Sequence, residues 1–211
     1  MHTQDHEDIK NLESNQRSTR MNLLIGGCSF SSPFNVGPTE SYPHVIGRKC
    51  NLNVIDEARV QGSNFRIWRT LVQHIVNGSV TPEDSIIVQY TEKHRQEIWS
   101  PEPPRHFDSF VEEPYDGGKL FRFKFGSDQY SVGLEKSLSK LMLRFSNENY
   151  NNDIFDVQHT MFCDFLKHRG FNRVLFVKTR YCDFDSDFPV VDCDDILEAH
   201  NLDGWHLTNK G

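Results

Sequence analysis

Apolar residues fall in two rhythms along this chain. In "MNLLIGGCSFSS", residues 21–32, Leu23, Leu24 and Ile25 form a short unbroken apolar run that stops at Gly26-Gly27 and leads into a cluster of hydroxyls. Such a run, bounded by glycine, predicts a buried strand ending in a tight turn. "LNVIDEA", from Leu52 to Ala58, and "DSIIVQY", from Asp84 to Tyr90, predict a second and a third strand. The third is apolar almost throughout, as befits a strand covered on both faces. Between them the period changes. Tyr42 to Cys50 predicts a short helix, and "SNFRIWRTLVQHIVNG" repeats Phe65, Trp68, Leu71, Val72, Ile75 and Val76 at helical spacing. Asn64 is placed to cap the start of that helix and Gly78 its end.

Residues 92 to 133 break this βαβαβ pattern with prolines, "DGGK" and a short alternating "LFRFKF", and predict an insertion after strand three containing a β-strand. Helices are predicted over 134–149, from Leu138, Leu141, Met142 and Phe145, and over 153–169, from Ile154, Val157, Met161 and Phe165. "FNRVLFVKT" and "FPVVD" predict a fourth and a fifth strand. Strands alternating with helices imply an α/β fold: an open, mostly parallel five-stranded sheet between helical layers. Residues 1 to 20 carry almost no large apolar group and are expected to form a polar tail, so the domain is expected to span 21–211.

Composition narrows the function classes. Aromatics make up 12% of the chain, with 16 Phe, so a substantial core is within reach although the apolar share is only 36%. A net charge of -7, with no dense basic cluster, argues against a nucleic-acid partner. No apolar run is long enough for a membrane span and the first twenty residues contain no signal-peptide core, so a cytoplasmic protein is expected. Five cysteines without a CxxC pair suit reduced thiols better than a disulfide framework or a zinc site. Cys28 is read as a small buried filler. Asp183, Asp185 and Asp187 alternate as in a calcium loop, yet Phe188 stands where the sharp turn requires glycine, so the segment reads as a solvated acidic loop and no metal is expected. No cofactor is expected either.

Ser29 follows the first strand, where α/β sheets hold their chemistry. Near the other end of the chain, "NLDGWHLTNKG" places Asp203 and His206 three apart, a spacing that lets one loop supply a base and the acid that orients it. "GGCSFS" after a first strand, "RVQGSN" after a second, a polar segment after a third and a near-terminal "DGWHL" together resemble the ordered blocks of the SGNH, or GDSL-type, serine hydrolase family of esterases and acetylesterases.

That resemblance implies a three-layer, flavodoxin-like α/β/α fold and hydrolysis of an ester, thioester or sugar O-acetyl group. The substrate class it implies is therefore a small ester or an acylated carbohydrate. It makes Ser29 the nucleophile, His206 the general base and Asp203 the residue orienting it, with the backbone N–H groups of Ser29 and Gly62 as oxyanion donors. Asn64 lies beside that block. Where the family carries Gly-x-Asn-Asp, this chain has "VQYTEKHRQE", so Gln89 or Thr91 replaces the third donor, or it is absent. Arg95 and Glu97 are read either as holding substrate at the mouth or as an ion pair on an exposed loop. With the chain ending at Gly211, the segment around His206 is expected to be packed down by Trp205 and Leu207, or supported by a protein partner or a second copy. The alternative function is an inactive member of the same fold serving as a binding or assembly module.

Overall fold

The computed structural model describes residues 20–29, 31–32, 37, 39–60, 62–93, 95–100, 112–115, 118–124, 148–179 and 182–192. The expected tail, most of the predicted 134–149 helix and the Asp203–His206 pair lie outside the described residues.

Strands β1 (Asn22–Gly26), β2 (Asn53–Asp56), β3 (Ser85–Gln89), β7 (Val174–Lys178) and β8 (Val190–Asp192) form one five-stranded sheet in the order β2-β1-β3-β7-β8. Every neighbouring pair is parallel, so the sheet is parallel throughout rather than mostly so. This is the flavodoxin-like order, and its switch point lies between β1 and β3. Side-chain alternation sorts the two faces. Leu24, Ile86, Val88, Val174 and Phe176 join Ile67, Trp68 and Leu71 of helix α2 (Asn64–Val76) and Phe155, Phe162 and Leu166 of helix α3 (Glu148–His168) in the larger core. On the other face Leu23, Ile25, Ile87 and Val177 form a smaller core with Tyr42 and Ile46 of helix α1 (Tyr42–Cys50). The result is the expected three-layer α/β/α arrangement.

The insertion after β3 contains β4 (Arg95–Ser100), β5 (Glu112–Tyr115) and β6 (Gly118–Lys124), an antiparallel sheet in the order β4-β6-β5. Among the described residues no helix is long and apolar enough to cross a membrane.

Two expectations are corrected. Ser63, not Asn64, caps α2: its hydroxyl accepts the Arg66 N–H at 3.1 Å, leaving Asn64 as the first helical residue with its side chain directed elsewhere. Helix α3 starts earlier than expected and is turned on its axis. Ile154, Val157 and Met161 are exposed, at 39%, 57% and 66%, whereas Phe155, His159, Phe162, Cys163 and Leu166 face the sheet. A histidine occupies a core position, so a count of apolar residues alone picks the wrong stripe.

His159 is accommodated by a chain of donors. Trp68 Nε1 donates to the Tyr90 hydroxyl (2.9 Å), that hydroxyl donates to His159 Nδ1 (3.0 Å), and His159 Nε2 donates to the Asp185 carbonyl (3.0 Å). A carbonyl only accepts, so Nε2 carries a proton, and with burial disfavouring the imidazolium the Tyr90 hydroxyl donates to a bare Nδ1. Burial holds the His159 pKa below its ordinary value, opposed by the Asp185 carbonyl and the Asp156 carboxylate.

Below the ordinary imidazole pKa of about 6.5, the unfolded chain therefore binds a proton that the folded chain resists. This contribution to stability is complete above that pH and is lost as the pH falls through it towards the lowered folded value. Urea midpoints measured from about pH 7.5 down to pH 5 should fall for the wild-type chain. The fall should be shallower for His159→Gln, which should also be weaker at pH 7.5 by about 1–3 kcal/mol.

Candidate functional site

Ligands of open parallel sheets bind outside the carboxyl ends of the strands at the switch point, which directs attention to the segments leaving β1 and β3. After β1, Gly27 leads into a tight turn in which the Cys28 carbonyl accepts the N–H groups of Ser31 and Ser32, both at 3.1 Å. Ser29 sits half-buried within it. After β2, the chain returns to the same place: Arg59 N donates to the Gly27 carbonyl at 3.1 Å. Gly62 then lies so close that a Cβ there would stand 3.1 Å from the Arg59 oxygen and 3.2 Å from the Gly27 oxygen. After β3, Thr91 is clamped by Asn64, whose Oδ1 accepts the Thr91 N–H (2.8 Å) and whose Nδ2 donates to the Thr91 carbonyl (3.1 Å). Ser29, Gly62, Asn64 and Thr91 therefore belong to one connected edge of the sheet.

The hydrogen bonds qualify the expected roles. The Gly62 N–H is engaged by the Arg59 carbonyl at 3.0 Å. The Thr91 N–H is engaged by Asn64. Gln89 is fully buried; its Nε2 donates to the Tyr90 carbonyl, and its Oε1 faces the Ser29 turn. The Gly62 and Thr91 backbone N–H groups are therefore already committed in this conformation, as is one N–H of the Gln89 amide.

Arg95 and Glu97 do not pair with each other, and they lie on β4 rather than on a loop. Arg95 Nε donates to the buried Glu92 at 2.9 Å, while its Nη1 is buried without a hydrogen-bond partner. Glu97 accepts two bonds from Arg69 of α2, at 3.0 and 3.3 Å, which ties the insertion to the main domain. Strand alternation puts both side chains on one face of β4, but each is taken by a different partner.

The acidic run behaves as separate side chains. Asp183 pairs with Lys178 and Asp187 with Lys167, and each cation holds its carboxyl below the ordinary range. Asp185 contributes its backbone carbonyl to His159. Among the described residues no group of three or more His, Cys, Asp or Glu is arranged to hold a metal. The four described cysteines are free thiols, with Cys28 fully buried as expected of a filler.

Sequence reasoning did not identify the part played by Gln89, Ser31 and Tyr42. Tyr42 and Ser31 share a 2.7 Å hydrogen bond, and Ser31 Oγ donates to Gln89 Oε1 at 3.2 Å. The available signal was a lone amide at the end of "SIIVQ", since a polar side chain in a buried strand must find partners. No protein-family model matches the chain, and no curated protein matches it.

The Asn64 clamp gives a direct test of this edge. Asn64→Ala would leave both the N–H and the carbonyl of Thr91 buried without their partner and should lower stability by about 2 kcal/mol or more. Gly62→Ala, which crowds two backbone oxygens, should cost about 1–3 kcal/mol. Urea denaturation of both variants measures these losses.

Proposed function

We propose that this chain is a serine acyl hydrolase of the SGNH type that cleaves a small acyl ester, including the O-acetyl ester of a sugar. The observation supporting this is the meeting of three sequence blocks at one sheet edge: the Ser29 turn lies against Gly62, and Gly62 adjoins the helix start whose Asn64 grips Thr91. In this reading Ser29 Oγ adds to the acyl carbon while its proton passes to His206, held in orientation by Asp203. Collapse breaks the bond to the alcohol oxygen, which leaves with that proton. Water, deprotonated by the same imidazole, then adds to the acyl-enzyme; its collapse releases the acid and returns the proton to Ser29.

One observation favours the second reading, a binding or assembly module. The Gly62 N–H, the Thr91 N–H and one N–H of the Gln89 amide are engaged internally, so these expected donors are not free to meet an oxyanion without first giving up a bond.

A fluorophosphonate probe followed by mass mapping separates the two. Labelling of the wild-type chain at Ser29, its loss in Ser29→Ala, and hydrolysis of p-nitrophenyl acetate faster than by that variant are the expected results. Removal of residues 204–211 should abolish both signals with little change in circular dichroism. An unlabelled wild-type chain no faster than Ser29→Ala would overturn the hydrolase reading.

A further inference from the structure

We infer that Gln89 is the positioning residue of the Ser29 turn, an inference that rests on the hydrolase reading above and gives the divergent third block a task. Its Oε1 accepts from Cys28 N (3.2 Å), Cys28 Sγ (3.3 Å) and Ser31 Oγ (3.2 Å). These donors flank Ser29 on both sides. The amide cannot be reversed, because turning it would set an NH₂ group against three donors and an oxygen against the Tyr90 carbonyl. The turn itself is closed by the bonds from Ser31 N and Ser32 N to the Cys28 carbonyl, so Gln89 fastens an already closed unit to the end of β3.

Two further features belong to the same device. Ser31 gives its proton to Gln89, so the Tyr42 hydroxyl must be the donor in their 2.7 Å contact, and helix α1 thereby holds the turn from the opposite side. Gly27 makes the approach possible, because a Cβ there would lie 2.5 Å from Ser31 Oγ and 2.7 Å from Ser31 Cβ. A polar side chain where the resemblance leads one to expect an oxyanion donor is thus turned towards the nucleophile's backbone. Gln89 acts through Ser29 and touches no substrate.

The test compares the wild-type chain with Gln89→Met, Gln89→Glu and Ser31→Ala. Amide hydrogen exchange reads the turn directly, while the fluorophosphonate labelling rate at Ser29 and the kcat and KM for p-nitrophenyl acetate read its consequence. In Gln89→Met, exchange at Ser31 and Ser32 should accelerate more than in β3 or α2. Labelling rate and kcat should fall together by about 10²-fold, as for a nucleophile displaced by an ångström, with KM held within about twofold. Gln89→Glu, which keeps an accepting oxygen, should recover part of that loss. Ser31→Ala, which leaves β3 intact, should move exchange and kcat in the same direction by less, and decides the matter if Gln89→Met does not fold.

Unchanged exchange at Ser31 and Ser32 in the variants, or full kcat and labelling with only a lower urea midpoint, would overturn the inference. Failure of the wild-type chain to label would instead overturn the hydrolase reading and the catalytic consequence with it. The exchange comparison would then still decide whether Gln89 holds the turn.

Discussion

A parallel sheet satisfies its backbone only as far as its strands run, and at the switch point the chain leaves β1 and β3 towards opposite faces. The peptide groups just beyond those strands are buried but have no sheet partner. Three buried polar side chains meet this need. Asp84, before β3, accepts from the backbone N–H groups of Asn22 (2.5 Å) and Thr81 (2.9 Å) and so joins the starts of β1 and β3. Gln89 joins their ends, and Asn64 fixes Thr91 one step further on. These clamps join β1 to β3 at both ends and tie the start of α2 to the segment leaving β3.

Such clamps are asymmetric in energy. A formed hydrogen bond contributes about 0.5–1.5 kcal/mol net, whereas a buried group deprived of its partner costs about 1–3 kcal/mol. Each clamp therefore stabilises modestly and forbids rearrangement more strongly. The Trp68–Tyr90–His159 chain extends the same logic beneath the site. Tyr90 follows Gln89 directly, and its ring lies among Phe155, Phe176 and Phe184 at centroid distances of 5.1–5.6 Å. The β3 end is thus held by hydrogen bonds on one side and by aromatic packing on the other.

Strands and layers were legible in the sequence because short unbroken apolar runs and period-3.6 patterns report burial directly, as in "NLLIG" and in Trp68, Leu71 and Ile75 of α2. Polar core residues were not. His159 misdirected the face of α3, and Gln89 was weighed only as an oxyanion donor, because periodicity counts a buried amide or imidazole as a break in the pattern. The glycine-bounded turn after the first strand brought Ser29 to attention, and the resemblance of "RVQGSN" to a hydrolase block brought Gly62. The Gly62 N–H is engaged only three residues back, by Arg59, whereas the Gln89 and Asn64 clamps join residues tens of positions apart, which no local pattern reports.

The engaged Gly62 N–H can be weighed by magnitude. Exchanging its bond to the Arg59 carbonyl for one to a ligand oxygen gives up about 0.5–1.5 kcal/mol. A donor aimed at a developing oxyanion contributes about 2.7–4 kcal/mol to the transition state. The exchange is therefore favourable once negative charge develops and roughly neutral for an uncharged ligand. A site built this way would hold its substrate loosely and reserve the Gly62 hydrogen bond for the transition state, whereas a binding module would gain almost nothing from the same N–H. The internal bond of Gly62 is thus compatible with the proposed catalysis.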